Sequence, residues 1–382
     1  MSVSYIRESV KVRLWGKAAG RCEYDGCNDR LWLDSLTKHE YNSAYIAHII
    51  ADRPTGPRGH PVLSELLKAD ISNLMILCDK HHRMIDIEDV ASHPVDMLRD
   101  MKRKHEDRIE LQTAITRDKM THVVLYGANI GDHNAPVSWK KAAEAIVPEF
   151  YPTERRAIEL SLSNSSYRDH EPDFWSIERE NLRRQFADKV RPRLRSGDIE
   201  HISLFALAPQ PLLIELGRLL SDIQPVEVHQ RHREPQDWRW REDCDGTDYM
   251  LCRPVPGDSP GPVALNISLS AIIANDRIHA VLGDNASIWT LTIGTPSNDF
   301  LKSRDQLSRF RQSMRSALDK IKSVHGLNTV LHLFPCVPVA IAVEIGRVWM
   351  PKADLSMRIY DQNSKNGGFA VAFDIGVTET GG

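Results

Sequence analysis

Short apolar runs alternate with helical patterns from about residue 120 to the end of the chain. Three of these runs, at 121–129, 202–209 and 330–338, end in asparagine or proline. Strands that helices cover on both faces read as continuous apolar runs, and parallel sheets are covered in this way. The pattern therefore predicts an α/β fold built on a mostly parallel sheet.

The second and third runs lead into helical patterns with similar endings. One ends in Glu-Leu-Gly-Arg at 215–218 and the other in Glu-Ile-Gly-Arg at 344–347. Between them, residues 254–262 contain four prolines and two glycines, which neither a helix nor a central strand tolerates. These features predict a duplicated α/β unit, with halves at about 118–253 and 263–382 joined by a surface connection.

The first 117 residues have a different texture. A short helical pattern is followed by an irregular loop rich in Cys, Asp and Gly, two short strand patterns and closing helices. In the last helix, apolar residues recur at steps of three and four, from Val95 and Leu98 to Ile109. This pattern predicts a small α+β domain at 1–117, followed by the α/β domain at 118–382.

Composition and charge narrow the function classes. Hydrophobic residues make up 41% and charged residues 26% of the 382 residues, which is typical of a globular chain. A net charge of −3 excludes nucleic-acid binding through bulk positive charge, so any DNA contact must come from a local patch or a metal. No apolar stretch approaches a membrane helix and no signal peptide is visible, so we expect no membrane partner and a cytoplasmic location.

Two short-range pairs of metal-ligand residues lie in the first domain. Cys22 and Cys27 form one pair, and Cys78 and His81 form the other. Two such pairs close a small domain around one tetrahedral ion and supply folding energy, so the spacing predicts a structural zinc site. The alternative is that the three cysteines are buried apolar residues and His81 lies on the surface.

His48, Asn73 and His82 are interleaved with these pairs. In this order and setting, residues from about 5 to 110 resemble the HNH endonuclease family with its ββα-metal fold. The resemblance implies that His48 is the general base, that Asn73 orients its loop and that His82 holds a catalytic Mg²⁺. Asp86 lies one helical turn beyond His82, where it binds the metal or orients the His82 ring.

One position departs from the family pattern. Many members carry a metal ligand just before the catalytic histidine, whereas this chain has Ala47, so Asp52 or water is expected to complete the metal shell. The loop that follows contains Arg53 and Arg58, which we expect to contact DNA phosphates. The alternative is a solvated basic loop.

The second domain resembles the SAVED domain, a fusion of two CARF-like, Rossmann-like units found in bacterial antiphage effectors. The residues that carry the resemblance lie at 202–212, 238–240, 286–289, 332–335, 360–363 and 367–369. An HNH unit joined to SAVED matches one effector type of the cyclic-oligonucleotide antiphage systems (CBASS). The resemblance implies a nuclease that a cyclic di- or trinucleotide activates through assembly of a dimer or tetramer on double-stranded DNA.

Ligands of open α/β sheets bind beyond the carboxyl ends of the strands, so we expect the activator there. Trp238 and Trp240 are candidates to stack on bases, and Arg231 is a candidate to meet phosphate, with Arg233 or Arg239 as substitutes. The alternative is that the tryptophans are packing anchors. The candidate ligand-binding residues are Gln210, Arg231, Trp238, Trp240, Phe334, Pro335 and Tyr360.

Three functions remain open at this point. The first is a cyclic-nucleotide-activated, metal-dependent DNA endonuclease. The second is a non-catalytic DNA-binding or scaffold protein whose zinc knuckle is purely structural, and the third is hydrolysis of the messenger by the α/β domain, for which no base or nucleophile is evident. The set His48, Asn73 and His82 discriminates between the first two, because a structural knuckle requires only its four zinc ligands.

Overall fold

The computed structural model describes residues 5–130, 137–161, 167–171, 173–241, 247–254, 261–363, 365 and 367–376. The chain divides into two compact units, Met1–Thr116 and Arg117–Gly382. Among the described residues, no helix is long and apolar enough to cross a membrane.

The first unit is a two-stranded sheet packed between helices. Its elements are α1 (Glu8–Lys17), β1 (Tyr45–His48), α2 (Leu63–Leu67), a 3₁₀ turn (Ile71–Asn73), β2 (Leu74–Leu77), α3 (Asp79–Arg83), a π-helical turn (Met84–Glu88) and α4 (Val95–Thr113). β1 and β2 run antiparallel, with Tyr45 opposite Leu77 and His48 opposite Leu74. All four residues of β2 are buried, and Leu14 of α1 and Leu98 of α4 belong to the same core. The core is small, so the unit has little apolar surface with which to stabilise its loops.

The first half of the second unit contains a parallel sheet in the order β4-β3-β6-β7, with β5 also paired to β3. Its elements are a 3₁₀ turn (Arg117–Lys119), β3 (Met120–Gly127), α5 (Trp139–Ile146), β4 (Tyr151–Pro152), β5 (Ile158–Glu159), α6 (Phe174–Lys189), α7 (Arg191–Arg195), β6 (Ile202–Leu207), α8 (Gln210–Leu220) and β7 (Val226–His229). The apolar runs at 121–129 and 202–209 therefore contain the two central strands, as the pattern predicted.

The second half has a mixed sheet in the order β13-β12-β11-β9-β10-β8. Its elements are β8 (Met250–Cys252), β9 (Val263–Ser268), α9 (Asn275–Leu282), β10 (Ser287–Thr292), α10 (Arg304–His325), β11 (Leu331–Cys336), α11 (Val339–Val348), β12 (Met357–Asn363) and β13 (Gly368–Ile375). The inner strands are parallel, and β8 and β13 lie antiparallel at the two edges. β8 precedes residue 253 but pairs with β10, so the predicted end of the first half at 253 does not follow the sheets.

The two similar helix endings meet in the structure. A Cβ built on Gly217 of α8 lies 1.9 Å from the carbonyl oxygen of Val343, and a Cβ built on Gly346 of α11 lies 1.9 Å from that of Ile214. The two helices therefore cross with their backbones in contact, and each crossing position requires glycine because no side chain fits. The repeated motif marks this reciprocal crossing between the halves.

The same motif places a buried carboxylate beside each glycine. Arg218 donates to Glu215 at 2.7 and 2.8 Å, and Arg347 donates to Glu344 at 2.8 Å. Burial alone would raise the pKa of the Glu215 carboxyl, but its contacts with arginine, led by Arg218, lower that pKa to about 2. Glu215 therefore stays ionised in the core, because the arginine one turn later compensates its charge.

We expect Gly346→Ala to lower the melting temperature of the second unit by about 4–8 °C, since a clash with backbone costs at least about 2 kcal/mol. Gly217→Ala has the same effect by the reciprocal contact. Gly294→Ala is the matched control, because a Cβ there meets nothing within 4 Å. Differential scanning calorimetry of the three variants checks this, and equal melting temperatures would contradict the close crossing.

Candidate functional site

The structure brings Cys22, Cys27, Cys78 and His81 together in the first unit. Their four ligand atoms all lie within 4.8 Å of one another, and His81 Nδ1 lies 3.2 Å from Cys78 Sγ and 3.6 Å from Cys22 Sγ. Cys78 caps the amino end of α3 and His81 lies in its first turn, so both face the same point. Ligands of a tetrahedral zinc ion lie about 3.3–3.8 Å apart, given the Zn–S and Zn–N bond lengths. The four residues therefore fit zinc.

Neighbouring side chains hold the His81 ring in place. Tyr24 stacks on it with ring centroids 4.1 Å apart and planes 3° apart. The Tyr24 hydroxyl lies 2.9 Å from His93 Nε2, and His93 Nδ1 lies 2.6 Å from the carbonyl oxygen of Asp89. Since a carbonyl only accepts, His93 donates from Nδ1 and accepts from Tyr24. Such outer contacts fix the orientation of a metal ligand, and four protein ligands leave no open position for catalysis.

Burial raises the pKa of the Cys22 and Cys27 thiols and lowers the pKa of His81. Without a cation these groups are neutral. A bound zinc ion would favour the thiolate over the thiol, because zinc deprotonates its sulfur ligands.

His48 ends β1 and is 6% exposed. Its Nε2 lies 2.9 Å from the carbonyl oxygen of Lys68, the residue that caps α2. A carbonyl accepts and cannot donate, so the neutral ring carries its proton on Nε2 and keeps the lone pair on Nδ1. The hydrogen bond to the backbone thus fixes the orientation of the ring and the tautomer of its neutral form.

Asn73 is buried, and its side chain bonds to backbone groups of Ile50 and, at 3.4 Å, to the carbonyl of Leu67. Its Oδ1 accepts from the amide of Ile50 at 2.8 Å, and its Nδ2 donates to the carbonyl of the same residue at 2.8 Å. Its own carbonyl accepts from the amide of Ile49 at 2.9 Å. Asn73 therefore fixes the backbone of Ile49 and Ile50, the two residues after His48.

His82 and Asp86 form a pair on the next helix. His82 Nε2 lies 3.5 Å from Asp86 Oδ2, and the His82 ring stacks on Tyr45 with centroids 5.0 Å apart. Burial lowers the pKa of His82, so this ring is neutral and available as a ligand. The intervening backbone passes from α3 into the π-helical turn at Met84, yet both side chains stay on one side.

His82 and Asp86 are the residues that would hold the divalent cation implied by the HNH resemblance. Among the described residues, the zinc cluster is the one group in which three or more His, Cys, Asp or Glu converge, so no third such ligand joins His82 and Asp86. Ala47 is buried at 1% exposure and offers no ligand. Mg²⁺ commonly binds through one or two carboxylates and keeps several waters or substrate phosphates, and the pair fits it in that manner.

The sequence predicted that Arg58 reaches solvent and contacts DNA phosphates, but its side chain lies inside the first unit. Its side chain is 6% exposed, and its guanidinium donates to Asp86 Oδ1 and to the carbonyl of Ile85, each at 2.6 Å. Its backbone has a φ of +57°, which turns the side chain into the unit. Arg58 is therefore unavailable to DNA phosphates, whereas Arg53 is exposed and its predicted phosphate contact stays a prediction.

In the second unit, the carboxyl ends of the inner strands of the two halves meet. Gln210, after β6, accepts from the amide of Val337 at 3.2 Å, and Gln230, after β7, accepts from the amide of Ala340 at 3.2 Å. The predicted residue Gln210 therefore lies at the junction between the halves. Gln230 was missed, and its position directly after a strand was the available signal.

Three predicted pocket residues belong to the core. Trp238 is 3% exposed and lies edge-on to Phe205, with ring centroids 5.4 Å apart. Phe334 is fully buried and stacks on Tyr360 at 4.3 Å, and the Tyr360 hydroxyl lies 2.8 Å from His332 Nδ1. These rings pack against other side chains, as the packing alternative predicted, and their contact with a ligand stays a prediction.

The other predicted pocket residues also contact side chains or backbone of the same unit. Pro335 is buried within β11, and Trp240 lies edge-on to His232 at 6.0 Å. The Arg231 guanidinium lies over the Trp238 ring, 5.7 Å from its centroid, and Arg239 donates to the carbonyl of Glu144.

His232 was missed and is distinctive. It is 1% exposed, and neither ring nitrogen has a hydrogen-bond partner within the described part of the chain. It follows β7, the strand whose carboxyl end adjoins the junction. A buried polar ring without a partner is uncommon, because its desolvation is then uncompensated.

Comparisons with known proteins were made for the whole chain. No curated protein matches the chain. The Acinetobacter baumannii Cap4 SAVED/CARF-domain containing receptor with the cyclic trinucleotide 2'3'3'-cAAA is 14% identical, with a TM-score of 0.44, over 73% of this chain and 60% of that one. The Moraxella osloensis Cap4 SAVED/CARF-domain containing receptor is 12% identical, with a TM-score of 0.42, over 73% of this chain and 58% of that one. This chain thus spans about 60% of the length of the receptor structures that it matches.

The family model of the "SMODS-associated and fused to various effectors sensor domain" (SAVED) matches residues 182–375. The match begins within α6 and extends to the end of β13, so it includes the crossing helices and all of the mixed sheet. It covers half of the 382 residues, and the chain therefore belongs to the SAVED family.

Proposed function

We propose that this chain is an antiphage effector in which the SAVED unit binds a cyclic di- or trinucleotide and thereby activates a metal-dependent DNA endonuclease in the first unit. Membership of the SAVED family, whose model describes a sensor domain fused to effectors, supports the division into sensor and effector. The HNH resemblance of residues 5–110 supplies the effector's activity.

One observation carries the nuclease assignment. The hydrogen bond from His48 Nε2 to the carbonyl of Lys68 leaves Nδ1 as a proton acceptor at the end of β1. Hydrolysis of a phosphodiester requires a base for water and positive charge near the phosphate. His82 and Asp86 hold the divalent cation, which stabilises the developing charge on phosphate when bound. His48 takes the proton from water, and Asn73 keeps the His48 loop in place.

A non-catalytic DNA-binding or scaffold protein is the other candidate. A structural knuckle needs Cys22, Cys27, Cys78 and His81 and nothing more. The buried His48 with its backbone partner and the three side-chain hydrogen bonds of Asn73 go beyond that requirement. Burying a polar ring has a cost, so its presence favours catalysis over structure.

Charge supports activation by assembly. A chain with a net charge of −3 binds DNA weakly as a monomer, because affinity rises steeply with the number of phosphates neutralised. A homodimer or homotetramer adds several small patches, including the exposed Arg53, and raises the effective concentration of nuclease units on the duplex. Ligand-driven assembly therefore accounts for a silent monomer and an active oligomer.

A screen of cyclic di- and trinucleotides tests the whole proposal. We expect supercoiled plasmid to be degraded only when both Mg²⁺ and one activating cyclic nucleotide are present, and excess EDTA to stop the reaction. Multi-angle light scattering with the same ligand is expected to show a twofold or fourfold mass. Plasmid binding without cleavage under every ligand would instead support the scaffold function, and an unchanged mass in an active sample would exclude assembly.

A further inference from the structure

The loop at 52–60 is tightly packed and holds the side chain of Arg58 in a fixed position. A Cβ on Gly56 would lie 2.7 Å from the Ala51 Cβ, and one on Gly59 would lie 2.3 Å from the carbonyl oxygen of Pro54, so the loop packs tightly on itself. Between these glycines, Arg58 adopts a left-handed backbone with a φ of +57°. A residue with a Cβ pays for that conformation in strain, and such strain persists where surrounding contacts fix it.

The contacts of Arg58 join the strand of the base to the helix of the metal ligands. Its Nε donates to the carbonyl of Ile49 at 2.8 Å, and its Nη1 donates to the carbonyl of Ile85 at 2.6 Å. Its Nη2 lies 2.6 Å from Asp86 Oδ1 and 3.4 Å from the carbonyl oxygen of His48. One guanidinium therefore fixes the backbone at the end of β1, the π-helical turn and one carboxylate oxygen at the same time.

We propose that Arg58 is a positioning residue of the nuclease site, which holds Asp86 so that its second oxygen faces His82 and keeps that pair in register with His48. This inference rests on the proposed function. Arg58 uses Asp86 Oδ1, and Oδ2 is left 3.5 Å from His82 Nε2. Lysine cannot replace it fully, because an ammonium lacks the planar arrangement of donors that reaches three groups at once.

The kinetic test uses full-length Arg58→Gln and Arg58→Lys proteins, each alone and combined with Asp86→Asn, with saturating cyclic-nucleotide activator. We expect Arg58→Gln to lower kcat about 100-fold with KM and the salt dependence unchanged, since misplacement by about 1 Å has that effect. Arg58→Lys recovers part of the loss. In the Asp86→Asn background, Arg58→Gln lowers kcat by less than about threefold, because coupled residues are not additive.

Arg30→Gln is the matched control, since Arg30 is an exposed arginine of the same unit, and we expect wild-type kinetics. A raised KM with a flatter salt dependence in Arg58→Gln would overturn the proposal and make Arg58 a phosphate contact. Full additivity with Asp86→Asn would also overturn it, because Arg58 would then act through another group.

Hydrogen exchange of the proteins without added Mg²⁺ or DNA separates this proposal from the nuclease assignment. Arg58→Gln is expected to speed exchange of the amides at 84–89 at least about tenfold, Arg58→Lys less so, and neither to affect α4. If wild-type protein cleaves no DNA under any activator, the proposed function fails. Faster exchange at 84–89 in Arg58→Gln would still support the role of Arg58 in holding the π-helical turn and Asp86. Unchanged exchange in Arg58→Gln would overturn that role.

Discussion

If the first unit is the proposed nuclease, we expect replacement of His48 with glutamine to abolish DNA cleavage and to leave the fold intact. The glutamine amide still donates to the carbonyl of Lys68, which His48 Nε2 contacts at 2.9 Å, so no buried acceptor loses its partner. It lacks a group that takes a proton from water near neutral pH. Loss of a general base lowers the rate by about 100- to 10,000-fold, so we expect a fall of at least about 100-fold in the initial rate of plasmid nicking.

His48→Ala serves as the second variant and His39→Ala as the control, since His39 is an exposed histidine of the same unit. Alanine leaves the Lys68 carbonyl unpaired and so adds a modest loss of stability. Thermal melts of the His48→Gln protein should match those of wild type. Cleavage within tenfold of wild type by the folded glutamine variant would show that another group activates water.

We expect removal of one of the four proposed zinc ligands to unfold the first unit and to leave the SAVED unit folded. Cys78→Ser removes the sulfur that lies 3.2 Å from His81 Nδ1, with little change in volume. Structural zinc contributes about 10–16 kcal/mol to small zinc-dependent folds, whereas a whole domain is stable by about 5–15 kcal/mol. The core around β2 is small, so we expect the unit to be unfolded at 25 °C without the ion.

Metal analysis together with hydrogen exchange measures this result. Wild type is expected to hold one zinc per chain, and Cys78→Ser none, with exchange in α1 and α4 rising to that of unfolded chain while β9 and β11 stay protected. Cys252→Ser is the control, because Cys252 is exposed in β8 of the second unit. A zinc-free Cys78→Ser protein that keeps its protection in α1 would show that the ion is not needed for folding.

The sequence indicated the clusters that depend on residue type and spacing. Four zinc ligands in two short-range pairs do converge, and the repeated Glu-x-Gly-Arg endings do mark equivalent helices, because both signals are local. The strands of the SAVED unit followed their apolar runs for the same reason. Local spacing determines these features, so the chain order alone was enough.

Burial and backbone turns were not available from the sequence. Trp238 and Tyr360 have the chemistry of base-stacking residues, but packing against other rings occupies them. Arg58 looked like a phosphate contact, but a left-handed backbone at that residue turns it inward. The partner of His48 is a main-chain carbonyl, that of Lys68, and no residue type predicts such a partner.

The reciprocal contact of Gly217 and Gly346 limits how the sensor responds to its activator. Sliding α8 along α11 would drive each backbone into the side chains of the next turn, whereas turning one helix about the contact point moves the backbones least. We therefore expect the two halves to rotate about this contact as a hinge, without sliding of α8 along α11. Small closure at the carboxyl ends of the strands then becomes a larger swing at the far ends of both helices.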